Sequence, residues 1–320
     1  MLLEVKNLKS YFQTKEGTIK AVDNISFNLQ KGEILGLAGE SGCGKTTTSL
    51  SVMRLLPPAG EYVSGEILFD GNNLLTIPEK DMRKIRGNHI SMVFQGAMNA
   101  LNPVHKVGDQ ILEVISIHEP DVPYEEAWKR VLTILETVGI DSSRAKDYPH
   151  QLSGGMKQRA LIAMALICNP SIIIADEPVT ALDVIVQAQI LRAMKKLQKD
   201  LDLSMIMITH DLSVIANVCD TIAIMYAGKI CEYGTVLQIF KDPKHPYTQG
   251  LINAFPSIKG DKTELYDIGG APPDLLNPPS GCRFNPRCNK VMDICKIEEP
   301  VESPMSGGYV TCHLYQEDKK

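Results

Sequence analysis

Short runs of consecutive apolar residues alternate along this chain with segments in which apolar residues recur every three or four positions. Residues 33–38, 172–175 and 205–208 are apolar runs of strand length. Such runs are typical of parallel strands that are buried on both faces. The helical spacing occurs in two stripes, namely Val131, Leu132, Leu135 and Val138, and Ile190, Leu191, Met194 and Leu197. The pattern predicts an α/β protein built on a parallel sheet, with both stripes facing its core.

The same pattern divides the chain into a core, an insertion and a tail. Residues 64–71 have the composition of a β-rich edge, whereas residues from about 96 to 165 have mainly helical spacing. A helical subdomain is therefore predicted inside an α/β domain that spans residues 1–235. After residue 235 proline-rich stretches appear, which predicts a small loop-rich C-terminal extension over residues 236–320.

The first candidate site is a glycine-rich loop at residues 39–46, with the sequence Gly-Glu-Ser-Gly-Cys-Gly-Lys-Thr. It matches the phosphate-binding pattern G-x-x-x-x-G-K-[ST] at every required position. Glycines allow the backbone N–H groups to turn toward an anion, and the N-terminus of a following helix favours negative charge. That helix is predicted from residue 46 to residue 56, because Pro57 and Pro58 come next.

The pattern predicts nucleotide-binding roles for eight residues, namely Gly39, Ser41, Gly42, Cys43, Gly44, Lys45, Thr46 and Thr47. Lys45 is expected to supply positive charge to the outer phosphates during catalysis, and the Thr46 hydroxyl is expected to bind Mg²⁺. The alternative is an ordinary glycine-rich turn between a strand and a helix.

Two acidic residues follow the apolar run at 172–175. Asp176 and Glu177 fall at the carboxyl end of a predicted parallel strand, where open α/β sheets bind their ligands. We expect Asp176 to hold Mg²⁺, directly or through water, and Glu177 to orient or deprotonate the water that attacks phosphorus. The alternative is a strand followed by an acidic turn, which the phosphate loop upstream disfavours.

A second glycine-rich loop, Leu-Ser-Gly-Gly-Met-Lys-Gln-Arg, occupies residues 152–159. With this loop, the chain resembles the ATP-binding-cassette ATPases over residues 1 to about 235. Three further landmarks of that family occur in the expected order, namely Gln95 after an apolar strand, the loop 180–183, and His210 after another apolar strand. The resemblance implies a P-loop NTPase, or RecA-like, core with a β-rich edge and an inserted helical signature subdomain.

The resemblance also implies that two copies of such a domain share their sites. Ser153, Gly154 and Gly155 open a helix, and their N–H groups form a second anion-binding helix N-terminus. In the family this loop closes on the ATP held by a partner subunit, and Asp183 belongs to the loop that crosses between subunits. A simple helix cap at Ser153 is the alternative reading of the same residues.

Other family roles fall on single residues. Gln95 resembles the glutamine that senses Mg²⁺ and the membrane partner, and His210 resembles the histidine that contacts the γ-phosphate. Tyr11 and Phe12 compete to stack on adenine, since adjacent strand residues face opposite ways; the family register favours Phe12. Residues 99–110 correspond to a groove for a permease helix in transporter members, or else to an ordinary loop.

The bulk composition excludes several classes of protein. The chain has 320 residues, of which 44% are hydrophobic and 22% charged, and its net charge is −5. The lack of a long basic run argues against extensive nucleic-acid binding. The longest apolar run, residues 160–168, is too short to span a bilayer, and the first residues lack a secretion-signal pattern. We therefore expect a cytosolic protein that attaches to the membrane through partners.

Four of the eight cysteines lie in the last 40 residues, namely Cys282, Cys288, Cys295 and Cys312. Disulfides are disfavoured in a reducing cytosol, so the clustered thiols suggest a metal site. Zinc sites usually contain tighter C-x-x-C pairs, whereas these wider spacings favour an iron–sulfur cluster. Zn²⁺ and metal-free thiols are the alternatives.

The tail narrows the resemblance further. His-Pro-Tyr-Thr at 245–248 and Gly-Cys-Arg-Phe-Asn-Pro-Arg-Cys at 281–288 are similar to segments in the ATPase subunits of oligopeptide and dipeptide importers. Some members carry a [4Fe–4S] cluster on such cysteines, with a structural or a redox-regulatory role. The resemblance implies a subunit that hydrolyses ATP at the cytoplasmic face of the membrane, paired as a homo- or heterodimer with a second cassette. Two transmembrane permease subunits, and indirectly an extracytoplasmic peptide-binding protein, are its expected partners.

Three other functions compete with peptide import. Import of nickel or another small solute uses the same kind of tail, and specificity in such importers lies in the receptor and the permease. A soluble cassette ATPase of DNA repair or translation would have a very long insertion or a second cassette, which this sequence lacks. A redox sensor with a vestigial ATPase would have a broken phosphate loop or lack Glu177, and both are intact.

Overall fold

Strands and helices alternate along most of the chain, and the predicted α/β class is confirmed. The computed structural model describes residues 1–96, 100–180, 182–254 and 268–316. The strands are β1 (Leu3–Thr14), β2 (Gly17–Leu29), β3 (Ile34–Ala38), β4 (Gly60–Phe69), β5 (Asn72–Asn73), β6 (Ile90–Val93), β7 (Ile172–Asp176), β8 (Ser204–Ile208), β9 (Thr221–Tyr226), β10 (Lys229–Thr235), β11 (Glu302–Met305) and β12 (Gly308–Thr311). The helices are α1 (Lys45–Val52), α2 (Glu79–Ile85), α3 (Val107–His118), α4 (Tyr124–Thr137), α5 (Gly154–Leu166), α6 (Val184–Asp200), α7 (Leu212–Val218), α8 (Val236–Lys241) and α9 (Pro246–Asn253).

The contacts divide the chain into two units, of which the first comprises Met1–Leu29, Ile34–Leu75 and Thr209–Lys320. One of its sheets is antiparallel, in the order β2-β1-β4-β5. Its other strands follow the order β11-β12-β10-β9-β3, with β3 and β9 parallel and the remaining pairs antiparallel. The phosphate loop and the C-terminal region therefore belong to the same unit.

The C-terminal region contains more regular structure than the predicted loop-rich extension. Helices α8 and α9 follow β10 directly, and the hairpin β11–β12 adds two strands beside β10. Gly307 turns the hairpin with a φ of 77°, and a Cβ on Gly308 would lie 1.8 Å from the Tyr233 carbonyl oxygen. The two glycines therefore allow the tight turn and the close approach to β10.

Helix α1 ends earlier than the sequence predicts, at Val52 rather than near residue 56. Arg54 has the left-handed φ of 50°, and the Leu55 N–H donates to the Leu50 carbonyl at 2.8 Å. This C-terminal cap ends the helix before the prolines. The length of α1 is therefore set by the left-handed turn at Arg54 and not by Pro57.

The second unit comprises Gln30–Glu33 and Thr76–Ile208. Its strands β6, β7 and β8 are parallel neighbours, and every residue of β7 and β8 is buried. Helices α3, α4 and α5 lie between β6 and β7 in the sequence, in the range predicted as helical. Of the two predicted stripes, Leu132 and Leu191 are half-buried and the other six residues are buried.

Two predicted segments include undescribed positions. Asn99, at the start of the predicted permease groove, and Ala181, in the predicted crossing loop, lie outside the described residues. Across the described ranges, each helix is too short or too polar to cross a lipid bilayer.

Candidate functional site

The phosphate loop connects β3 to α1 and holds its lysine by its own backbone. Lys45 is only 7% exposed. Its Nζ donates to the carbonyl oxygens of Gly39 at 2.7 Å and Glu40 at 2.9 Å. Because Lys45 is the first residue of α1, the ammonium group and the first free N–H groups of a helix occupy the same loop. Both features favour an anion.

The glycines of this loop serve two different purposes. A Cβ on Gly39 would lie 2.1 Å from the Met225 carbonyl oxygen, and one on Gly44 would lie 2.3 Å from the Ala21 carbonyl oxygen. These two glycines are needed for packing against the first unit's own strands. Gly42 has a φ of 77°, yet a Cβ there would meet no described atom within 4 Å. Only backbone conformation demands glycine at that position, and the loop is open on that side.

The remaining loop residues differ in exposure. Ser41 and Thr46 are exposed, and Thr47 is half-buried. Cys43 is 4% exposed, and its Sγ accepts from Lys45 Nζ at 3.6 Å. Burial raises the pKa of the Cys43 thiol. The Cys43 side chain thus faces the protein interior, so only its backbone can serve the predicted nucleotide contact.

The two aromatic candidates for adenine have different surroundings. Tyr11 Oη donates to the Asp23 carboxylate at 2.7 Å. Burial and this bond raise the pKa of Tyr11. Phe12 pairs with Gly60 on β4, and a Cβ on Gly60 would lie 3.0 Å from Phe12 Cε1. Tyr11 is therefore engaged in a polar network, whereas the half-buried Phe12 ring lies over a glycine.

In the second unit, Glu177 follows Asp176 in the chain and is hydrogen-bonded to two other side chains. Asp176 ends β7 and is 1% exposed. The Glu177 carboxylate accepts from Gln95 Nε2 at 2.7 Å and from Thr180 Oγ1 at 3.0 Å. Glu177 has the left-handed φ of 47°, and its N–H donates to the Ile208 carbonyl at 2.9 Å. A left-handed non-glycine residue at an acidic site is strain of the kind that clusters at functional sites.

The second glycine-rich loop is exposed at the start of α5. Ser153 caps this helix by accepting from the Met156 N–H at 3.3 Å. Both Ser153 and Gly154 are exposed. The cap is therefore present, and the first N–H groups of α5 are open to an anion from outside.

Gly155 links this loop to the start of α6. A Cβ on Gly155 would lie 2.6 Å from Val186 Cγ1. Asp183 caps α6 by accepting from the Val186 N–H at 2.9 Å. Val184 and Ile185, on the same first turn, are 80% and 72% exposed. Gly155 and Asp183, both predicted to act between subunits, thus contact the same residue, Val186. The exposed side chains of Val184 and Ile185 lie beside Asp183 in the chain.

His210 lies in a turn of the first unit and is exposed. The turn is ordered by its neighbours, because Asp211 N–H donates to Thr209 Oγ1 at 3.0 Å and Asp211 accepts from Ser213 N–H at 2.8 Å as the cap of α7. The imidazole is therefore presented to solvent from a turn with fixed ends.

The predicted residues are divided between the two units. Those in the first unit are Phe12, Gly39, Ser41, Gly42, Cys43, Gly44, Lys45, Thr46, Thr47 and His210. Those in the second unit are Gln95, Ser153, Gly154, Gly155, Asp176, Glu177 and Asp183.

An ion pair joins the phosphate loop to the tail, and the sequence does not predict it. Glu40 and Arg287 form a bidentate pair at 2.7 and 2.9 Å. Arg283 pairs with Asp23 and is 4% exposed. The only available signal was the position of both arginines in the segment between Cys282 and Cys288, hereafter the cysteine loop (residues 282–288).

The four tail cysteines are free thiols. The Cys282 N–H donates to the Cys295 carbonyl at 2.8 Å, which places their backbones side by side. Burial raises the pKa of Cys282 to about 12 and that of Cys312 to about 11. Cys288 is half-buried.

These thiols do not converge as a set of ligands for a single metal ion. Within residues 1–96, 100–180, 182–254 and 268–316, no three or more His, Cys, Asp or Glu side chains form a group that could hold one. A mononuclear zinc site needs four thiolates around one ion, so the geometry does not fit zinc. The predicted metal-binding extension is thus not supported by the arrangement of these side chains.

Comparisons with known proteins assign the chain to a family. The family model described as "ABC transporter" matches residues 22–180, and that described as "Oligopeptide/dipeptide transporter, C-terminal region" matches residues 231–295. The oligopeptide transport ATP-binding protein OppD of Bacillus subtilis is 51% identical over 303 residues, which cover 93% of this chain and 84% of that protein. The chain belongs to the ATP-binding-cassette family.

Further relatives and a solved structure agree. The dipeptide transport ATP-binding protein DppD of Bacillus subtilis is 50% identical over 317 residues, covering 98% of this chain and 94% of that protein. The dimeric, post-hydrolysis ATP-binding cassette MJ0796 bound to ADP and Pi superposes with a TM-score of 0.66 at 29% identity, over 73% of this chain and 99% of that chain. The resemblance to cassette ATPases is confirmed, and so is the further resemblance to ATP-binding proteins of oligopeptide and dipeptide transport.

Proposed function

We propose that this cassette binds ATP and Mg²⁺, hydrolyses ATP in a pair of cassettes, and thereby powers the uptake of di- and oligopeptides. The observation that carries the proposal is the phosphate loop, in which a buried lysine is held at the first turn of α1 by two carbonyl oxygens of the loop itself. A loop of this kind fits the outer phosphates of a nucleotide.

The nucleotide roles follow from this loop. The backbone N–H groups of residues 39–47 bind the phosphates, and Lys45 donates to the outer ones. Phe12 stacks on adenine, which is supported by the engagement of Tyr11 with Asp23. When bound, ATP with Mg²⁺ supplies an electrophilic γ-phosphate for transfer to water.

The chemical step depends on acidic and polar residues. Glu177 accepts the proton of the attacking water, and Gln95 and Thr180 orient its carboxylate, which is supported by the bonds of 2.7 and 3.0 Å. His210 contacts the γ-phosphate. Oxygen atoms of Thr46, Gln95 and Asp176 would hold Mg²⁺, since this ion prefers oxygen ligands.

The loop at residues 153–155 and Asp183 serve the ATP bound by a second cassette subunit. The exposure of Ser153 and Gly154 at the N-terminus of α5 supports this role. So do the exposed Val184 and Ile185 beside Asp183, because an exposed apolar pair is buried most readily by a partner. The pair is a homodimer or a heterodimer with a related cassette.

Peptide import is supported by the names of the relatives and by the match to the oligopeptide/dipeptide transporter region at residues 231–295. We place the chain at the cytoplasmic face of the membrane, attached to two permease subunits. An extracytoplasmic peptide-binding protein delivers the substrate to them. Residues 100–110 are the described part of the surface proposed to receive a permease helix.

Reconstitution tests this function. The chain is combined in vesicles with its permease subunits, its partner cassette and the binding protein, and labelled di- and oligopeptide uptake is measured with ATP. Uptake should require ATP and stop in the Glu177→Gln variant, whereas Glu136→Gln, on the exposed face of α4, should transport normally. ATP-driven nickel uptake without peptide uptake would contradict the assignment of the substrate.

We also propose that the C-terminal region binds a [4Fe–4S] cluster. Its ligands are Cys282, Cys288, Cys295 and Cys312. This assignment is supported by the hydrogen bond from the Cys282 N–H to the Cys295 carbonyl at 2.8 Å, which places two of these cysteines side by side. A four-iron cluster is larger than a single ion, so its ligands need not converge on one point. Zn²⁺ is disfavoured by the arrangement of the same side chains.

Metal analysis tests the cluster. Anaerobically purified full chain is assayed for iron, acid-labile sulfide, zinc and visible absorbance. Iron and sulfide should be lost in Cys288→Ser and retained in Cys168→Ser, which alters a buried thiol outside the tail. Zinc without sulfide, or a chain that holds neither metal, would contradict the cluster.

A further inference from the structure

Glu40, the second residue of the phosphate loop, is held by three different contacts. Its N–H donates to Tyr247 Oη at 2.9 Å, and its carbonyl oxygen accepts from Lys45 Nζ at 2.9 Å. Its carboxylate accepts from both terminal nitrogens of Arg287, at 2.7 and 2.9 Å. Tyr247 and Arg287 both belong to the C-terminal region, which therefore supplies two of the three contacts.

The guanidinium of Arg287 is fixed in one orientation. Its Nε donates to the Gly269 carbonyl at 2.9 Å, and Nη2 donates to the Ile268 carbonyl at 2.9 Å. Nη1 donates to Tyr226 Oη at 3.2 Å, and the guanidinium carbon lies 5.6 Å from the centre of that ring. The side chain is 5% exposed. A planar fork held in this way is preorganised for a carboxylate.

A second arginine anchors the cysteine loop at its other end. Arg283 donates to the Asp23 carboxylate and to the Ala227 carbonyl. Tyr11, beside the proposed adenine contact Phe12, donates to the same Asp23 at 2.7 Å. One arginine thus ties the cysteine loop to the phosphate loop. The other ties it to Asp23 on β2, which Tyr11 links to β1, the strand that carries Phe12.

The charge of Glu40 explains why its pairing matters. A carboxylate in a loop that binds a polyanion repels that anion unless a cation neutralises it. Arg287 provides the cation from a buried position, where solvent and salt screen the interaction less than at an open surface. If Arg287 is removed, an unpaired carboxylate remains on the loop whose backbone holds Lys45, and it repels the phosphates.

We propose that Arg287 is a positioning residue for ATP, which acts through Glu40 to hold the phosphate loop and to neutralise its carboxylate. The cysteine loop thereby sets the nucleotide affinity of the site. This inference rests on the proposed binding of ATP at residues 39–47, and it adds a control of that binding by the C-terminal region.

Equilibrium binding of a fluorescent ATP analogue with Mg²⁺ to the full chain tests the proposal. Arg287→Met should weaken binding about tenfold, which is the scale of one lost charged interaction. Arg287→Lys should give an intermediate loss, since it keeps the charge without the fork. Glu40→Gln/Arg287→Met should bind more tightly than Arg287→Met alone, because the uncompensated carboxylate is gone.

Two further readouts separate this role from a general loss of structure. The defect of Arg287→Met should shrink as salt concentration rises, because salt screens the carboxylate. In the ATPase assay of the assembled cassettes, the KM for ATP should rise while kcat changes little.

Arg130→Met is the matched control. Arg130, on α4, forms a bidentate ion pair with Glu119 at 2.6 and 2.8 Å. The variant therefore removes an ion pair similar to that of Arg287 with Glu40. Thermal unfolding should be affected in both variants, whereas ATP affinity should fall only in Arg287→Met. Equal ATP binding by wild type and Arg287→Met, or no recovery in the double variant, would overturn the inference. A wild-type chain that binds no ATP would instead overturn the proposed function.

Discussion

The two glycine-rich loops of this chain have opposite environments. In the phosphate loop, Lys45 is 7% exposed and bound to two carbonyl oxygens of the loop, and Gly39 packs against the Met225 carbonyl. In the loop at residues 152–155, Ser153 and Gly154 are exposed, and the helix is capped by Ser153 itself.

The difference shows that two similar glycine patterns can have opposite surroundings, which fits the proposal that they serve different halves of one site. The phosphate loop is shaped by contacts within its own unit, so a single chain can present it ready for nucleotide. The second loop presents helix N–H groups outward, which suits a ligand that another subunit holds. In the first loop, a side chain on Gly39 or Gly44 would collide with a backbone carbonyl oxygen. In the second loop, a side chain on Gly155 would collide with Val186.

The largest effect should come from removing the proposed base. In the assembled transporter, Glu177→Gln should lower ATP turnover by about 10²- to 10⁴-fold, because the attacking water loses its proton acceptor. ATP binding should persist, and ATP should hold the two cassettes together with both loops engaged. Size-exclusion chromatography with ATP, together with phosphate release, measures both effects. Undiminished hydrolysis would remove Glu177 from its role.

The phosphate loop should be sensitive within a single chain. Lys45→Met should weaken ATP binding by about 10- to 100-fold, since it removes charged hydrogen bonds to the outer phosphates. Calorimetric titration of the isolated full chain checks this, with Lys157→Met on α5 as the control. If the dissociation constant for ATP is unchanged in Lys45→Met, the phosphate loop does not bind ATP within a single chain, and the proposed difference between the two loops is wrong.

The second loop should matter only for pairing. Ser153→Ala should leave ATP binding by a single chain within about twofold, but weaken ATP-driven pairing by about tenfold, because a phosphate contact and a helix cap are lost together. Thr235→Ala removes a cap of similar chemistry from α8 and should leave pairing intact. Analytical ultracentrifugation with ATP distinguishes the two. Pairing that falls equally in both variants would reduce Ser153 to a structural cap.

The smallest effect should appear with pH, near the contacts that hold the phosphate loop. Burial lowers the pKa of His245 to about 3 from 6.5, and its Nδ1 accepts from the Tyr247 N–H at 3.0 Å. The folded state therefore excludes a proton that the unfolded chain binds, so stability is complete above the unfolded pKa and falls as pH decreases toward the folded pKa.

Replacing His245 should flatten this dependence. In His245→Asn, an amide oxygen can accept the same N–H without titrating. Between pH 8 and pH 6, the free energy of unfolding of His245→Asn should fall by less than that of wild type, and the difference should be less than about 1 kcal/mol. Urea unfolding at both pH values checks it. The same slope in both proteins would mean that another group controls acid unfolding.

Local motifs were predictable because their chemistry depends on neighbouring residues. The phosphate loop, the acidic pair at the end of β7 and the loop at 152–159 are each contiguous, so the resemblance to cassette ATPases could be recognised in them, and the comparisons confirm that family. The roles of the individual residues remain predictions. The α/β class followed from buried apolar runs, which β7 and β8 contain at every position.

Features that join distant segments were not predictable. Glu40 and Arg287 lie 247 residues apart, and neither has a pattern that names the other. The hairpin β11–β12 was missed because strands of four residues containing Pro304 and Gly308 have little β propensity of their own. They form strands because β10 offers an edge to pair with.

By itself, the sequence determined the family and located the phosphate loop and the acidic pair, whose roles stay predictions, since these features reside in short contiguous segments with local geometry. Only the tertiary structure decided that Tyr11 is engaged by Asp23, that Glu177 accepts from Gln95, and that the tail reaches the phosphate loop through Arg287. Such contacts depend on how the folded chain brings remote side chains within hydrogen-bonding distance, and periodicity along a sequence carries no record of that distance.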